Sequence, residues 1–280
     1  MTHNREKSKR QFSNLLIQLL YVMVGIMIAF PIIYAFFISF MDPAQVLSGG
    51  INIIPKKWTL ENYATALRSA PIMRFMLNSL IIALCSSIVR IIVASLAAFA
   101  FAFLDFPFKK GIFMLMLASI MIPADIVLVA NYRTVSQLGW INTYLGMMVV
   151  FFVSALNIFM LRQSFMTFSK TLKEAAHIDG CSNFKFFVLI LLPTNASTLM
   201  TVFITAFIGT WNTYLWPLMV TNRTEMRTVQ VGITMLNFSE GTVYGPIMAA
   251  SMIILIPSLV LFLLFQKKIV TGMMAGGVKG

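Results

Sequence analysis

Acidic side chains are scarce in this sequence: nine Asp and Glu against 21 Lys and Arg in 280 residues, with charged residues only 11% of the chain. Water-soluble domains carry about 25%, so a chain this short of charge does not belong to that class. Histidine and cysteine number two each. Cys85 falls in an apolar run and Cys181 in a charged stretch, so neither a disulfide framework nor a metal-ligand spacing exists. An integral-membrane enzyme would need His, Asp, Glu or Cys clustered at the interface, and the chain lacks such a cluster. No Walker motif occurs, so the chain carries no P-loop for nucleotide hydrolysis, and any such energy source must be another chain. Also missing are an internal repeat, a low-complexity tract and any polar stretch long enough to build a second core. A self-sufficient secondary transporter, the alternative reading, predicts several intramembrane carboxylates and often two matching halves; only Asp125 qualifies.

What is abundant is hydrophobic sequence, 59% of the chain. Six apolar runs stand out, at roughly 15–40, 76–104, 111–130, 144–161, 196–221 and 246–266. Each is close to the ~20 residues that cross ~30 Å of hydrocarbon at ~1.5 Å per residue. In lipid every backbone N–H and C=O must be paired within its own segment, so the runs are expected to be helices and the fold all-α. The first run follows Arg5, Lys7, Lys9 and Arg10, as a secretion signal would. It is too long for a signal and lacks a small-residue cleavage site, which makes it an uncleaved anchor.

The net charge of +12 sits in short connectors between apolar runs, which fits a polytopic membrane protein and not nucleic-acid binding. With both ends on one side, that side collects the N-terminal cluster, Lys109, Lys110, Arg162, Lys170, Lys173, Lys185, Lys267, Lys268 and Lys279. The other side holds Lys56, Lys57, Arg68, Arg74, Arg133, Arg223 and Arg227. A bias of about two to one places both termini and the 162–195 loop in the cytoplasm. Of the two long outer connectors, 41–75 contains a helix-like stretch opened by Thr59 as N-cap. The other, 222–245, carries Arg223, Glu225, Arg227 and Glu240.

The stretch Lys173–Pro193 is a charged, glycine-broken island between two apolar runs. Good helix formers fill Thr171–Ile178, and Gly180 can supply the positive φ that ends such a helix. A second helix is expected from Ser182 or Asn183, with Phe184, Phe187, Val188 and Leu191 at helical spacing. Physics alone allows an amphipathic interfacial hairpin with no partner. However, Glu174-Ala175-Ala176, Asp179-Gly180, Phe187, Ile190 and Pro193 together resemble the EAA loop of ABC-importer permeases. Cys181 replaces the family's usual Ala, and Thr194-Asn195-Ala196-Ser197 lacks a further Pro often found there. Ile54-Pro55 with Trp58-Thr59-Leu60-Glu61-Asn62-Tyr63, the Gly209–Leu218 stretch and the tail Gly276–Gly280 are similar to carbohydrate-importer permeases, the second of a pair. Ser164-Phe165-Met166-Thr167 and Ser239-Glu240-Gly241-Thr242 look closest to glycerol-3-phosphate permeases.

The resemblance implies a type I ABC importer fold: six transmembrane helices over 15–266, a cytoplasmic helix-turn-helix coupling loop at 171–193, an N-terminal segment 1–14 and a tail 267–280. It implies a bacterial or archaeal cell membrane, a second homologous permease, a dimer of ATP-binding subunits and an extracytoplasmic solute-binding protein. ATP and Mg would be bound by the partner ATPase, and no cofactor by this chain. In such a loop Glu174 and Asp179 would be charged contacts or turn fixers. Ala175 and Ala176 would let the partner approach, Gly180 would allow the bend, and Phe187 would tie the hairpin to its own membrane domain.

Ionisable residues at membrane depth are functional candidates by default. Arg90 and Asp125 qualify. Counted along straight helices both lie ~21 Å from the inner face, level with each other. An interhelical ion pair is the favoured reading, and a substrate pathway in which Arg90 meets an anion is the sharper one. Trp211, Asn212, Tyr214 and Trp216 form an aromatic and amide group that suits sugar rings, although such residues also gather at bilayer interfaces without a ligand. Pro123 and Pro257 are candidate kinks.

Overall fold

In the computed structural model, which describes residues 2–48, 53–234, 236 and 244–277, the apolar runs do become helices, and no strand forms among those residues. The chain divides into two units, Met1–Ala70 with Leu236–Ile253 and Pro71–Met235 with Ile254–Gly280. The stretch 15–266 contributes to both.

The first unit is dominated by α1 (Thr2–Ser39). Within its apolar span Asn14–Ser39 the most apolar stretch has no buried residue, and Ser39 at its end is buried, as expected for a helix whose surroundings are lipid or another subunit. Where α1 stops, its last carbonyls need donors. Asn62, in the first turn of α3 (Glu61–Ser69), supplies them. Its buried Nδ2 donates to the carbonyls of Met41 at 2.7 Å, Ser39 at 3.1 Å and Ile38 at 3.4 Å. Tyr63 adds a hydroxyl contact to Ser39 Oγ at 2.9 Å. Trp58 lies against Phe40 and Phe37 beside a single antiparallel bridge to Met41. The Trp58–Tyr63 motif is thus the clamp on the end of α1. Thr59 was the expected N-cap, but α3 starts one residue later, with Leu60 at the cap position and no side-chain cap bond; Thr59 Oγ1 accepts from the Glu61 N–H at 3.1 Å just before the helix. A short helix, α2 (Pro43–Leu47), starts from an Asp42 cap. Gly245, near the start of α15 (Tyr244–Gly277), packs directly on the Asn62 amide, where a Cβ would collide.

The second unit is built on α4 (Ile72–Phe103), 32 residues long. The apolar runs between residues 111 and 221 are broken, whereas the last run lies in the continuous α15. Between α5 (Lys109–Ser119) and α6 (Ala124–Gln137) the chain bends by 100°. Pro123 marks the break: it has no N–H to donate, and it disfavours helical geometry at Ile122. The bend is therefore far larger than a kink within one 111–130 helix. A second pair consists of α7 (Tyr144–Met148), continuing through a 3-10 turn at Val149–Phe151, and α8 (Ala155–Met166), with a bend of 49°. Among the described residues three helices are long and apolar enough to cross a membrane, and up to six spans result when each bent pair counts as one.

Helix α4 packs along α8 and along α12 (Ala196–Trp211). One core cluster gathers Ala94, Ala98, Ile158, Leu161, Phe165 and Val202. A second joins Ile82, Val135, Met147, Trp216 and Val220. Beyond α12 lie α13 (Leu215–Val220) and α14 (Val229–Ile233). Buried Asn78 fastens the segment between them: its Nδ2 donates to the carbonyls of Glu225 and Arg227, each at 2.9 Å, and its Oδ1 accepts from the Tyr144 hydroxyl at 2.7 Å.

Because an aspartate only accepts, it cannot replace the donor at position 62. N62A is expected to cost about 1–3 kcal/mol through unsatisfied carbonyls. N62D, facing the same carbonyls with a negative charge, is expected to be at least as damaging, as read from thermal unfolding of the purified protein in detergent.

Candidate functional site

The charged island folds as a helix, a glycine turn and a second helix. The first, α9, spans Lys170–Ile178. Gly180 has φ +78°. Its N–H donates to the His177 carbonyl at 3.0 Å, and the Cys181 N–H reaches the Ala176 carbonyl at 2.9 Å. This pair of bonds closes the helix end, and it requires the left-handed residue that glycine provides without strain. Ser182 then opens α10 (Asn183–Phe186), its Oγ accepting from the Lys185 N–H at 3.3 Å. A π-helical turn follows at Phe187–Leu191, then α11 (Leu192–Thr194), and a bend of 78° leads into α12.

The inner face of this hairpin is buried against its own unit. Phe187 lies 5.1 Å from Phe99 between ring centroids, and Phe186 meets Phe103 and Phe168 at 5.8 and 5.5 Å. Ala176 belongs to the same cluster. Its small side chain therefore lets α9 approach its own domain, and only Ala175 of the two alanines remains exposed. Glu174, His177, Asp179 and Gly180 are exposed as well. Beside them stand three large apolar side chains, Leu172 (59% exposed), Ile178 (86%) and Phe184 (70%). Phe184 and Val188 were expected on the buried face. The π turn lengthens the local repeat, and the buried face runs through Phe186, Phe187 and Leu191 instead. Pro193, which cannot donate to Leu189, ends that turn.

Three cations converge where α4 ends. Lys109 Nζ donates to the Leu104 carbonyl at 2.6 Å, Arg162 Nε to Phe101 at 3.3 Å and Lys173 Nζ to Phe103 at 3.5 Å. Positive charge at a helix C-terminus also favours the helix dipole. Lys173 lies on α9 and also sits 5.0 Å above the Phe103 ring, so the hairpin is joined to α4 by charge as well as by packing. Ser164 is tied to the bend before α12 through Asn195 Oδ1 at 2.7 Å and Thr198 at 3.0 Å. The Ser164–Thr167 motif thus braces the far side of the hairpin. Ser239–Thr242 and residues 278–280 lie outside the described residues.

Arg90 and Asp125 do not pair. Among the described residues the ion pair formed is Lys109–Asp105, at 3.8 Å. Arg90 Nε instead donates to the Phe151 carbonyl, with the guanidinium 5.8 Å from the Phe151 ring centroid. Asp125 is exposed in the first turn of α6, where the helix dipole suits a carboxylate. Counting depth along a straight helix had made the two level, and the 100° bend removes that premise.

The aromatic group is divided between two environments. Trp211 is buried and stacked on Phe207 at 5.8 Å. Trp216 is buried with its indole N–H donated to the carbonyls of Gly146 and Met147, both at 3.2 Å. These tryptophans hold the unit together, so the stacking surface expected of them is not available to a ligand. Asn212 and Tyr214 are the exposed members. A cavity of about 220 Å³ lies nearby, lined by Asn131, Thr134, Trp140, Val149 and Val150 among others. No three His, Cys, Asp or Glu side chains converge among the described residues.

Residues 1–274 match the family described as binding-protein-dependent transport system inner membrane component. The chain is similar to the sn-glycerol-3-phosphate transport system permease protein UgpE of Rhizobium meliloti (strain 1021), with 31% identity over 274 residues, 95% of this chain and 97% of the relative. It resembles in structure a chain of a bacterial ABC transporter involved in the import of the acidic polysaccharide alginate, with TM-score 0.82, 20% identity, and 92% and 96% of the two chains covered. A second likeness, with TM-score 0.66, 16% identity, and 92% and 94% of the chains covered, is to the bacterial alginate ABC transporter in complex with alginate pentasaccharide-bound periplasmic protein.

Two outcomes follow from these placements. W216F, which keeps the ring but loses the donor, is expected to cost about 1 kcal/mol of stability and to leave the KM for uptake unchanged; a changed KM would return Trp216 to the pathway. A double-mutant cycle of R90Q and D125N is expected to be additive in thermal stability within about 0.5 kcal/mol.

Proposed function

The chain belongs to the family of binding-protein-dependent transport system inner membrane components, and from that membership we propose that it is the second of two permeases in an importer for a small polyol phosphate, with sn-glycerol-3-phosphate the specific candidate. It is a multi-pass membrane protein and an ABC importer permease. The substrate reading is supported by the names of its relatives and by the Ser164–Thr167 resemblance.

The observation that carries the mechanism is the hairpin. Its outward face mixes large apolar side chains with the carboxylates of Glu174 and Asp179. Lipid disfavours those carboxylates and water disfavours Leu172, Ile178 and Phe184, whereas a groove on a protein partner accommodates both. In this reading the partner is one subunit of an ATP-binding dimer that holds ATP and Mg, and both termini of the chain lie on the same, cytoplasmic side. A solute-binding protein delivers substrate from outside, and a homologous permease completes the membrane cavity. When the ATPases close they displace α9. The displacement reaches α4 through Phe187 on Phe99 and through Lys173 on Phe103, and the cavity turns from inward-facing to outward-facing. Asn212 and Tyr214 are placed on the pathway side, and Gly180 sets the hairpin angle.

E174K reverses a charge on the docking face. G180P fixes φ near −65° and removes the N–H that closes α9. Each variant is expected to lose co-purification with the ATP-binding subunit while the two permeases remain associated. Full recovery of the ATPase with both variants would sink the docking role.

A further inference from the structure

Arg90 is a cation at membrane depth for which the second unit supplies no counter-charge. One of its donors is used: Nε is held by the Phe151 carbonyl, at the 3-10 turn between α7 and α8. No group among the described residues accepts from Nη1 or Nη2, and no carboxylate forms an ion pair with this side chain. Arg90 is half-buried, so the outer edge of the guanidinium is open.

Polar atoms lie along the same two helices. On α4, Ile82 clusters with Met147 and the Val149–Phe151 turn, while Ala94 and Ala98 cluster with Ile158 and Leu161. Helices α4 and α8 therefore run in the same direction, with Arg90 level with Phe151 and Phe101 level with Arg162; Ser86 and Ser87 lie about one turn to one side of Arg90 and Asn157 between about one and two turns to the other. Ser86 Oγ, Ser87 Oγ and Asn157 Nδ2 are all buried without a hydrogen-bond partner. On either side of Arg90 the helices thus carry buried polar atoms with unused bonding capacity.

Ionisable side chains at such depth are costly, and they occur where they meet a partner or a substrate. The usual explanation is a carboxylate on a neighbouring helix, and the exposed position of Asp125 removes it. A carbonyl and a ring satisfy one donor and leave the positive charge in place. Two N–H groups on a planar fork match two oxygens of a phosphate, and anchoring Nε fixes the plane in which the fork lies.

We propose that Arg90 is the anion-binding residue of this permease: the guanidinium, steadied through Nε by the Phe151 carbonyl, offers Nη1 and Nη2 to the phosphate of a small polyol phosphate on its way across. The inference rests on the polyol-phosphate reading above and adds the residue that recognises the charge. Because the anchoring carbonyl lies at a bend, a change in the angle between α7 and α8 also re-aims the fork.

The test uses the complete importer in proteoliposomes, with sn-glycerol-3-phosphate as the probe. R90Q keeps an N–H for the Phe151 carbonyl and loses the charge and the fork; R90K keeps the charge. With the complex co-purifying at wild-type yield, R90Q is expected to lower uptake about ten-fold or more, and R90K is expected to stand between R90Q and wild type. Wild-type uptake by R90Q overturns the assignment, as does R90K falling to the level of R90Q. Loss of complex assembly in both variants also overturns it, in favour of a purely structural arginine. If the wild-type importer takes up a neutral sugar and no sn-glycerol-3-phosphate, the substrate reading itself has failed, and this assignment fails with it.

Discussion

A backbone carbonyl left over where a helix breaks in an apolar medium has to find a donor, and much of this structure is arranged to provide one. Asn62 serves the end of α1. Lys109, Arg162 and Lys173 serve the end of α4. Trp216 covers Gly146 and Met147, and Asn195 covers Leu191 just before the sharp turn into α12. Arg90 serves Phe151 in the same way. Most of these donors stand among other polar residues, Lys173 in the charged island and Lys109 beside Lys110, whereas Arg90 is flanked by apolar residues on both sides.

The breaks also decide what can move. A continuous apolar helix has its hydrogen bonds satisfied internally and transmits displacement as a rigid rod, as α4 can over its 32 residues. A bent pair concentrates change at a few residues, and here two of the three such pairs pack along that rod. Lys173 matters in this light because it bonds to the end of the rod from the hairpin itself. Burial of Phe186 and Phe187 beside it leaves little slack between the two elements.

Local chemistry was legible in the sequence and direction was not. Gly180 and Ser182 act where their residue types said they would, because a positive φ and a hydroxyl cap are properties of one turn, whereas Thr59 misses the cap of α3 by one residue. The six apolar runs were visible because hydropathy is additive along a chain. A run does not encode whether it stays straight, so the 100° turn at Pro123 was read as a kink and Asp125 was placed level with Arg90. A single π turn likewise moved the buried face of the hairpin from Phe184 to Phe186. Trp211 and Trp216 could not be sorted from Asn212 and Tyr214, since aromatic composition is the same for a ligand platform and for a core.

Burial within the chain is uneven, and the unevenness carries information of its own. The most apolar stretch of the α1 span has no buried residue, whereas that of α4 has 33%. From Leu19 to Phe36 the exposed large side chains of α1 are aliphatic and aromatic, a surface that lipid satisfies as well as protein does. The hairpin's exposed residues are of two kinds at once. Ile178 and Phe184 are more exposed than any other large apolar residues of the hairpin, and they flank Asp179, whose charge lipid tails would not solvate. Neither phase that borders a membrane satisfies both kinds, so the hairpin is left with an unmet requirement that α1 does not have. A protein surface with an apolar recess and donors at its rim would meet it, which is the ground of the docking proposed for this hairpin.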